Sequence, residues 1–182
     1  MSKYVGKIIT NQAPAGYSVF FDGTGDYLSV ASNAAFGFGT GDFTVEFWVN
    51  LPSASTTQVL FDNRIVTGLG LVIYSNTGTL TVNFNNTGGV LITGGALTSN
   101  TWTHIALTRA SGSSRLFING TQSGSTAADS NNYPTNATYI GGNFSAGQLT
   151  TGYISNFRIV KGTALYTTAF TPPTQLLNVT NS

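Results

Sequence analysis

Residues 100–120, NTWTHIALTRASGSSRLFING, decide how the rest of this 182-residue chain is read. From Thr101 to Arg109 the side chains alternate. Thr103, Ile105 and Leu107 take one face; Trp102, His104, Ala106 and Thr108 take the other. A period of two is what a half-buried β-strand requires. Ala110 to Ser114 is a small polar connection containing glycine, and Arg115 to Ile118 begins a second strand. Asn119-Gly120 suits a type I′ turn, whose two central residues both need positive φ. The stretch therefore predicts an antiparallel hairpin.

Outward from the hairpin the same pattern recurs. Strands are predicted at Tyr17–Phe21, Tyr27–Val30, Asp42–Asn50, Gln58–Phe61, Gly70–Tyr74, Thr79–Phe84 and Val90–Thr93. Turn residues arrive every ~8–12 positions, the spacing of a β-sandwich. No useful window keeps a 3.6-residue period, so little helix is expected. Asp42–Asn50 is apolar on both faces, which marks a central strand; Pro52 ends it. Ala31–Gly41, carrying Phe36 and Phe38, is expected to loop across one end of the sandwich and plug it. Thr121–Asn136 is the longest strand-poor stretch.

Composition narrows the function classes. Only 7% of residues are charged, against ~25% in an ordinary soluble domain. Hydrophobic residues make up 41% and aromatics 12%, enough for a sizeable core. A net charge of +1 argues against nucleic acid, whose binding is driven by many Lys and Arg on phosphates. With no cysteine, disulfides and thiolate–metal sites are excluded. No run approaches ~18 apolar residues, so no membrane-spanning helix is expected. Met1–Thr10 lacks the apolar core and cleavage site of a signal peptide.

Five blocks, in order, resemble the laminin G-like branch of the concanavalin A-like lectin/glucanase superfamily. They are S-x-x-F-D-G-x-x-D-Y-L at Ser18–Leu28, F-T-V-E-x-W-V at Phe43–Val49, and W-x-H-I-A-L with L-F-I-N-G at Trp102–Gly120. The last two are I-G-G at Ile140–Gly142 and G-x-I-S-N-F-R-I at Gly152–Ile159. The following Lys161–Pro173 is similar to laminin G-like domains in structural proteins of tailed, notably marine, phages. The resemblance covers residues 17–174. It implies an all-β fold: a two-sheet antiparallel jelly-roll sandwich over 16–174, with an N-terminal arm at 1–15 and a C-terminal tail at 175–182. It also implies a non-enzymatic virion protein, a capsid decoration or surface appendage made in the host cytoplasm, with glycan or host-surface adhesion. Self-association is expected to accompany it. The alternative is a soluble carbohydrate-binding lectin, with calcium as a possible cofactor and otherwise none.

The candidate residues follow from that frame. Glucanases of the superfamily use paired carboxylates, ~5–5.5 Å apart in retaining enzymes. Glu46 is the single glutamate, its face neighbours are Thr44 and Trp48, and the E-x-D-x-x-E pattern is missing. No catalytic residues are therefore assigned. A carboxylate inside a central strand needs a partner; the expected one is Arg158, with a ligand contact as the alternative. His104, the only histidine, reads as a half-buried imidazole. Asp22 and Asp26, in a glycine-rich turn, suit either calcium or their own backbone amides. Tyr133, Phe144 and Tyr166 are the aromatics outside strand cores. Of these, Tyr133 with Asp129, Asn131 and Asn132 is the expected glycan site, a ring face with polar groups around it. In the arm, Tyr4, Val5, Ile8 and Ile9 suit a frayed end, an added edge strand or an anchor on capsid or tail proteins.

Overall fold

The structure is a computed structural model that describes residues 13–14, 16–53, 55–65, 68–85 and 89–177. Among the described residues, thirteen strands form two antiparallel sheets. They are β1 (Val19–Asp22), β2 (Leu28–Val30), β3 (Phe43–Asn50), β4 (Gln58–Asp62), β5 (Leu69–Asn76), β6 (Thr79–Asn85) and β7 (Val90–Ala96). β8 (Thr103–Ala110), β9 (Ser113–Ile118), β10 (Thr121–Gln122), β11 (Ala127–Ala128), β12 (Thr138–Ile140) and β13 (Thr151–Lys161) complete the set. The first sheet runs β1-β13-β3-β8-β9-β10, with β11 on β9; the second runs β2-β12-β4-β5-β6-β7. The single helical piece among the described residues is a 3₁₀ turn at Ala34–Phe36, capped by Asn33. Behind it Phe38 is buried and stacks on Phe43 at 4.5 Å, closing that end of the sandwich.

The hairpin forms with a tighter connection than its sequence suggests. Ala110 pairs with Ser113, so only Ser111 and Gly112 turn the chain, both at positive φ (48° and 72°). Asn119 and Gly120 (50° and 77°) make the second turn, into β10. Both are the doubly positive geometry that matches strand twist.

Alternation sorts β3 as expected. Phe43, Val45, Phe47 and Val49 enter the core between the sheets, against Leu60, Phe61, Leu71, Ile73, Leu80 and Val82 of the facing sheet. Yet the other face of β3, Thr44, Glu46, Trp48 and Asn50, is buried too. The cause is the segment after β13. Residues 162–173 turn back as a strap across the outer face of the first sheet. Thr44 Oγ1 donates to Thr163 O, Thr108 Oγ1 to Tyr166 O, and Trp48 Nε1 to Pro173 O, at 3.0, 2.8 and 3.0 Å. At the far side of the molecule β1 and β2 are the outermost strands of the two sheets among the described residues, with an apolar cleft between them.

Candidate functional site

Two polar clusters and one aromatic row hold the chemistry-bearing side chains. The first cluster centres on Glu46. Arg158 lies directly opposite it in register, and its Nε donates to Glu46 Oε1 at 2.8 Å. His104 Nε2 lies 3.2 Å from Oε2, and the Tyr166 hydroxyl donates to Oε2 at 2.9 Å. Burial pushes the Glu46 carboxyl up; the hydrogen bonds from His104, Arg158 and Tyr166 and the Arg158 charge outweigh it and hold it below the usual range. Burial and the neighbouring carboxylate push Tyr166 up to about 12. With Nε2 turned to the carboxylate, His104 Nδ1 is buried without a partner among the described residues.

The strap roofs this cluster. Phe170 stacks on Tyr166, centroids 3.6 Å apart, and meets the His104 and Phe117 rings edge-on. Glu46 and His104 are fully buried beneath it. Among the described residues no group of three acidic or histidine side chains converges here or elsewhere. The hydrogen-bond partners of the Glu46 carboxylate are His104, Arg158 and Tyr166. The arrangement sets register and seats the strap.

The second cluster overturns the expected glycan site. Tyr133 has no exposed surface, so its ring cannot receive a sugar. Its hydroxyl donates to Asp129, itself buried, whose Oδ2 also accepts from Ser114. Above both sits Arg109, fully buried, donating to the carbonyls of Gly39, Gly41 and Asn131 at 2.6–2.9 Å. Its guanidinium lies 4.9 Å from the Tyr133 ring and 5.0 Å from Phe43. The physical reason is that Arg109 continues the core-facing side of β8, and a buried cation must be surrounded by acceptors. The segment before β3 supplies the Gly39 and Gly41 carbonyls, and the polar stretch 121–136 supplies that of Asn131. Desolvation first, then the Asp129 charge, pushes the Tyr133 phenol up. Asn131 joins this lock by donating to Asp129 Oδ1, while Asn132 is exposed.

The remaining sequence candidates are also placed. Phe144 is half-buried under Arg64, 5.7 Å away, and Arg64 makes a two-point pair with Asp62. Asp22 accepts from Thr24 N at 2.6 Å and Asp26 from Asp22 N at 3.3 Å, so each carboxylate serves its own turn. Tyr4, Val5, Ile8 and Ile9 lie outside the described residues.

Sequence reasoning misses the aromatic row. Phe21 and Ile154 enter the core, so Phe20 on β1 and its register partner Tyr153 on β13 point outward, centroids 4.9 Å apart. Trp102, just before β8, lies 6.3 Å beyond Tyr153. Phe20 is 54% exposed and the other two are half-buried. Exposed Ser99, Asn100 and Thr101 flank one end, and the Asp22–Asp26 turn the other. The sequence clue is parity: Phe20 and Tyr153 sit out of phase with Phe21 and Ile154, which the core takes.

The comparisons agree with this geometry at the level of fold. A solved structure of mouse laminin α1 domains LG4-5 superposes with a TM-score of 0.63 at 18% identity, covering 86% of this chain and 44% of that one. The receptor binding domain of botulinum neurotoxin D gives 0.62 at 14% identity, covering 89% and 44%. A candidate carbohydrate binding protein from Bacteroides ovatus gives 0.59 at 17%, covering 85% and 44%. The chain thus spans less than half the length of these three. No curated protein matches its sequence. Residues 22–166 match the family model described as the concanavalin A-like lectin/glucanases superfamily, laminin G type. On that match and this two-sheet architecture, the chain belongs to the concanavalin A-like lectin/glucanases superfamily.

Proposed function

We propose that this chain is a non-enzymatic recognition module that binds glycans on the outer face of its first sheet. The observation that carries the reading is the row Phe20–Tyr153–Trp102. Aromatic faces pack on the apolar C–H faces of sugars, and amides and hydroxyls at the rim fix hydroxyl groups. A near-neutral, hydroxyl-rich surface suits an uncharged saccharide. The sealed carboxylate at Glu46 supports binding rather than hydrolysis. The superposed neurotoxin domain, named for receptor binding, and the Bacteroides ovatus protein carry this architecture under names that speak of recognition.

The experiment is a glycan array followed by titration. Tyr153→Ala and Trp102→Ala are expected to weaken binding about tenfold or more, the cost of truncating an aromatic anchor, while Tyr133→Phe leaves affinity unchanged. Binding that survives both truncations sinks the reading. Chelator added to the same titration reports whether the Asp22–Asp26 turn takes part through calcium.

The setting we propose is a phage particle, with the module displayed as a capsid decoration or appendage. The support is the Lys161–Pro173 run, which resembles phage structural proteins and here forms the strap. Co-purification with virions at fixed stoichiometry tests it; a chain found only free of particles excludes it.

A further inference from the structure

The outer face of the first sheet is not flat where the three rings stand. Phe20 and Tyr153 are inclined to each other by 43°, and Tyr153 and Trp102 by 51°. Tyr153 is half-buried and held at its tilt by a ring on each side. The row runs across the strands. Phe20 on β1 pairs with Tyr153 on β13, and Tyr153 with Asn50 on β3; the β3–β8 register, which ends at Val49 and Thr103, leads from Asn50 to Trp102. Asn50 is buried, and the rings on either side of it come within 6.3 Å of each other.

A wall stands beside the row. The next outward-facing pair on β3 and β13 is Trp48 with Ser155. Residues 173–175 lie over it: Trp48 Nε1 donates to Pro173 O at 3.0 Å, and Asn156 Nδ2 to Gln175 O at 2.8 Å. Thr174 and Gln175 are exposed. This segment therefore crosses from β3 to β13 alongside the row and rises above the sheet.

A crystalline polysaccharide presents its sugar rings in one plane. Several aromatic rings meet such a face together only if they are coplanar, and only if nothing beside them strikes the face first. The tilts fail the first condition, and residues 173–175 the second. A single chain satisfies both, because rotation about each glycosidic bond turns successive sugars to successive ring planes. Centroid spacings of 4.9 and 6.3 Å are close to the repeat of pyranose rings along a chain. We propose, resting on the glycan reading, that the site takes one soluble saccharide chain, laid across the strands along the wall with a sugar over each ring, and not the surface of a crystalline polysaccharide.

The test uses the full-length protein. It is titrated with cello-, xylo-, manno-, malto- and chito-oligosaccharides, from monosaccharide to hexasaccharide, and mixed with crystalline cellulose and chitin. For a chain that binds, affinity should rise about tenfold or more from the monosaccharide to the trisaccharide, since each added sugar gains an aromatic contact, and then level off. The crystalline solids should show no saturable uptake. Phe20→Ala, at an exposed ring, should keep the parent's melting transition and move the plateau from the trisaccharide to the disaccharide. Equal affinity for monosaccharide and hexasaccharide would give the site to a single terminal sugar. An affinity still climbing at the hexasaccharide would mean a longer groove. Saturable uptake on cellulose or chitin, lost in Tyr153→Ala, would show that the rings do flatten. Each of these overturns the proposal and leaves the glycan reading standing, as does binding on the array with none to any of these oligosaccharides. A protein that binds nothing in any arm and nothing on the array takes both down.

Discussion

The side chain that most changes the picture is Arg109. Period-two alternation places it in line with Thr103, Ile105 and Leu107, on the core side of β8, and that placement is readable from the sequence alone. Its acceptors are not, because Gly39, Gly41 and Asn131 come from loops far along the chain. Without them Tyr133 looks like a ring in a polar surface loop. A core-facing arginine near a loop of Asp, Asn and Tyr is better read as a lock than as a ligand site. Arg109→Met is expected to cost roughly 3–5 kcal/mol, since it strands the buried Asp129 carboxylate. Combining it with Asp129→Asn should recover part of the loss, measured as a double-mutant cycle on urea midpoints. Additive losses would show that the two groups do not act as a pair.

At the scale of elements, the strands are legible from alternation and turn residues, while the devices that join them are not. β13 shows why. Ile154 enters the core, but so do Phe157 and Ile159, which have the opposite parity. The break is a β-bulge between Ser155 and Arg158, with Asn156 at φ +53°. An extra residue flips the facing of everything after it, and that flip turns Arg158 outward to Glu46. The parity break is visible in the sequence and marks the bulge. The strap is not visible there, because a coil has no period; its cue is the two-sided burial demanded by an apolar β3. The strap also depends on Gly120. A Cβ there would run into the Phe170 carbonyl oxygen, on a backbone of φ +77°. Gly120→Ala is therefore expected to cost about 1–3 kcal/mol, which in a chain of this size lowers the melting midpoint by roughly 2–4 °C per kcal/mol. Hydrogen exchange should rise selectively over residues 162–173, as Phe170 is lifted off His104. Uniform exchange across both sheets would mean that the strap is not a separable element.

At the scale of the whole molecule, a chain with 7% charged residues places much of its charge inside. Glu46, Asp62, Asp129, Arg64 and Arg109 are all buried, each with a partner of opposite charge or a ring of carbonyls. Few ions remain at the surface for salt to screen, and exposed pairs are worth only ~0–1 kcal/mol in any case. The melting midpoint is therefore expected to move by no more than about 3 °C between ~0.05 and ~0.5 M sodium chloride. The pH dependence should be much stronger, with a sign set on each limb by a different group. Glu46 has its pKa depressed in the fold, so the unfolded chain takes up its proton first. The stability it contributes is complete above its ordinary value of 4.5 and is lost as pH falls below it. Tyr166 is raised, so the unfolded chain loses its proton first. Its contribution is complete below 10 and is lost as pH rises towards about 12. Urea midpoints taken across pH should thus give a broad plateau with two falling limbs. Glu46→Gln should lower the plateau, flatten the acid limb and, because its carboxylate helps raise the Tyr166 phenol, also soften the alkaline limb; Tyr166→Phe should chiefly soften the alkaline limb, with a smaller effect on the acid limb through the hydrogen bond that Glu46 loses. If both limbs survived both substitutions unchanged, the buried centre would not be the source of the pH dependence, and other titrating groups would have to carry it.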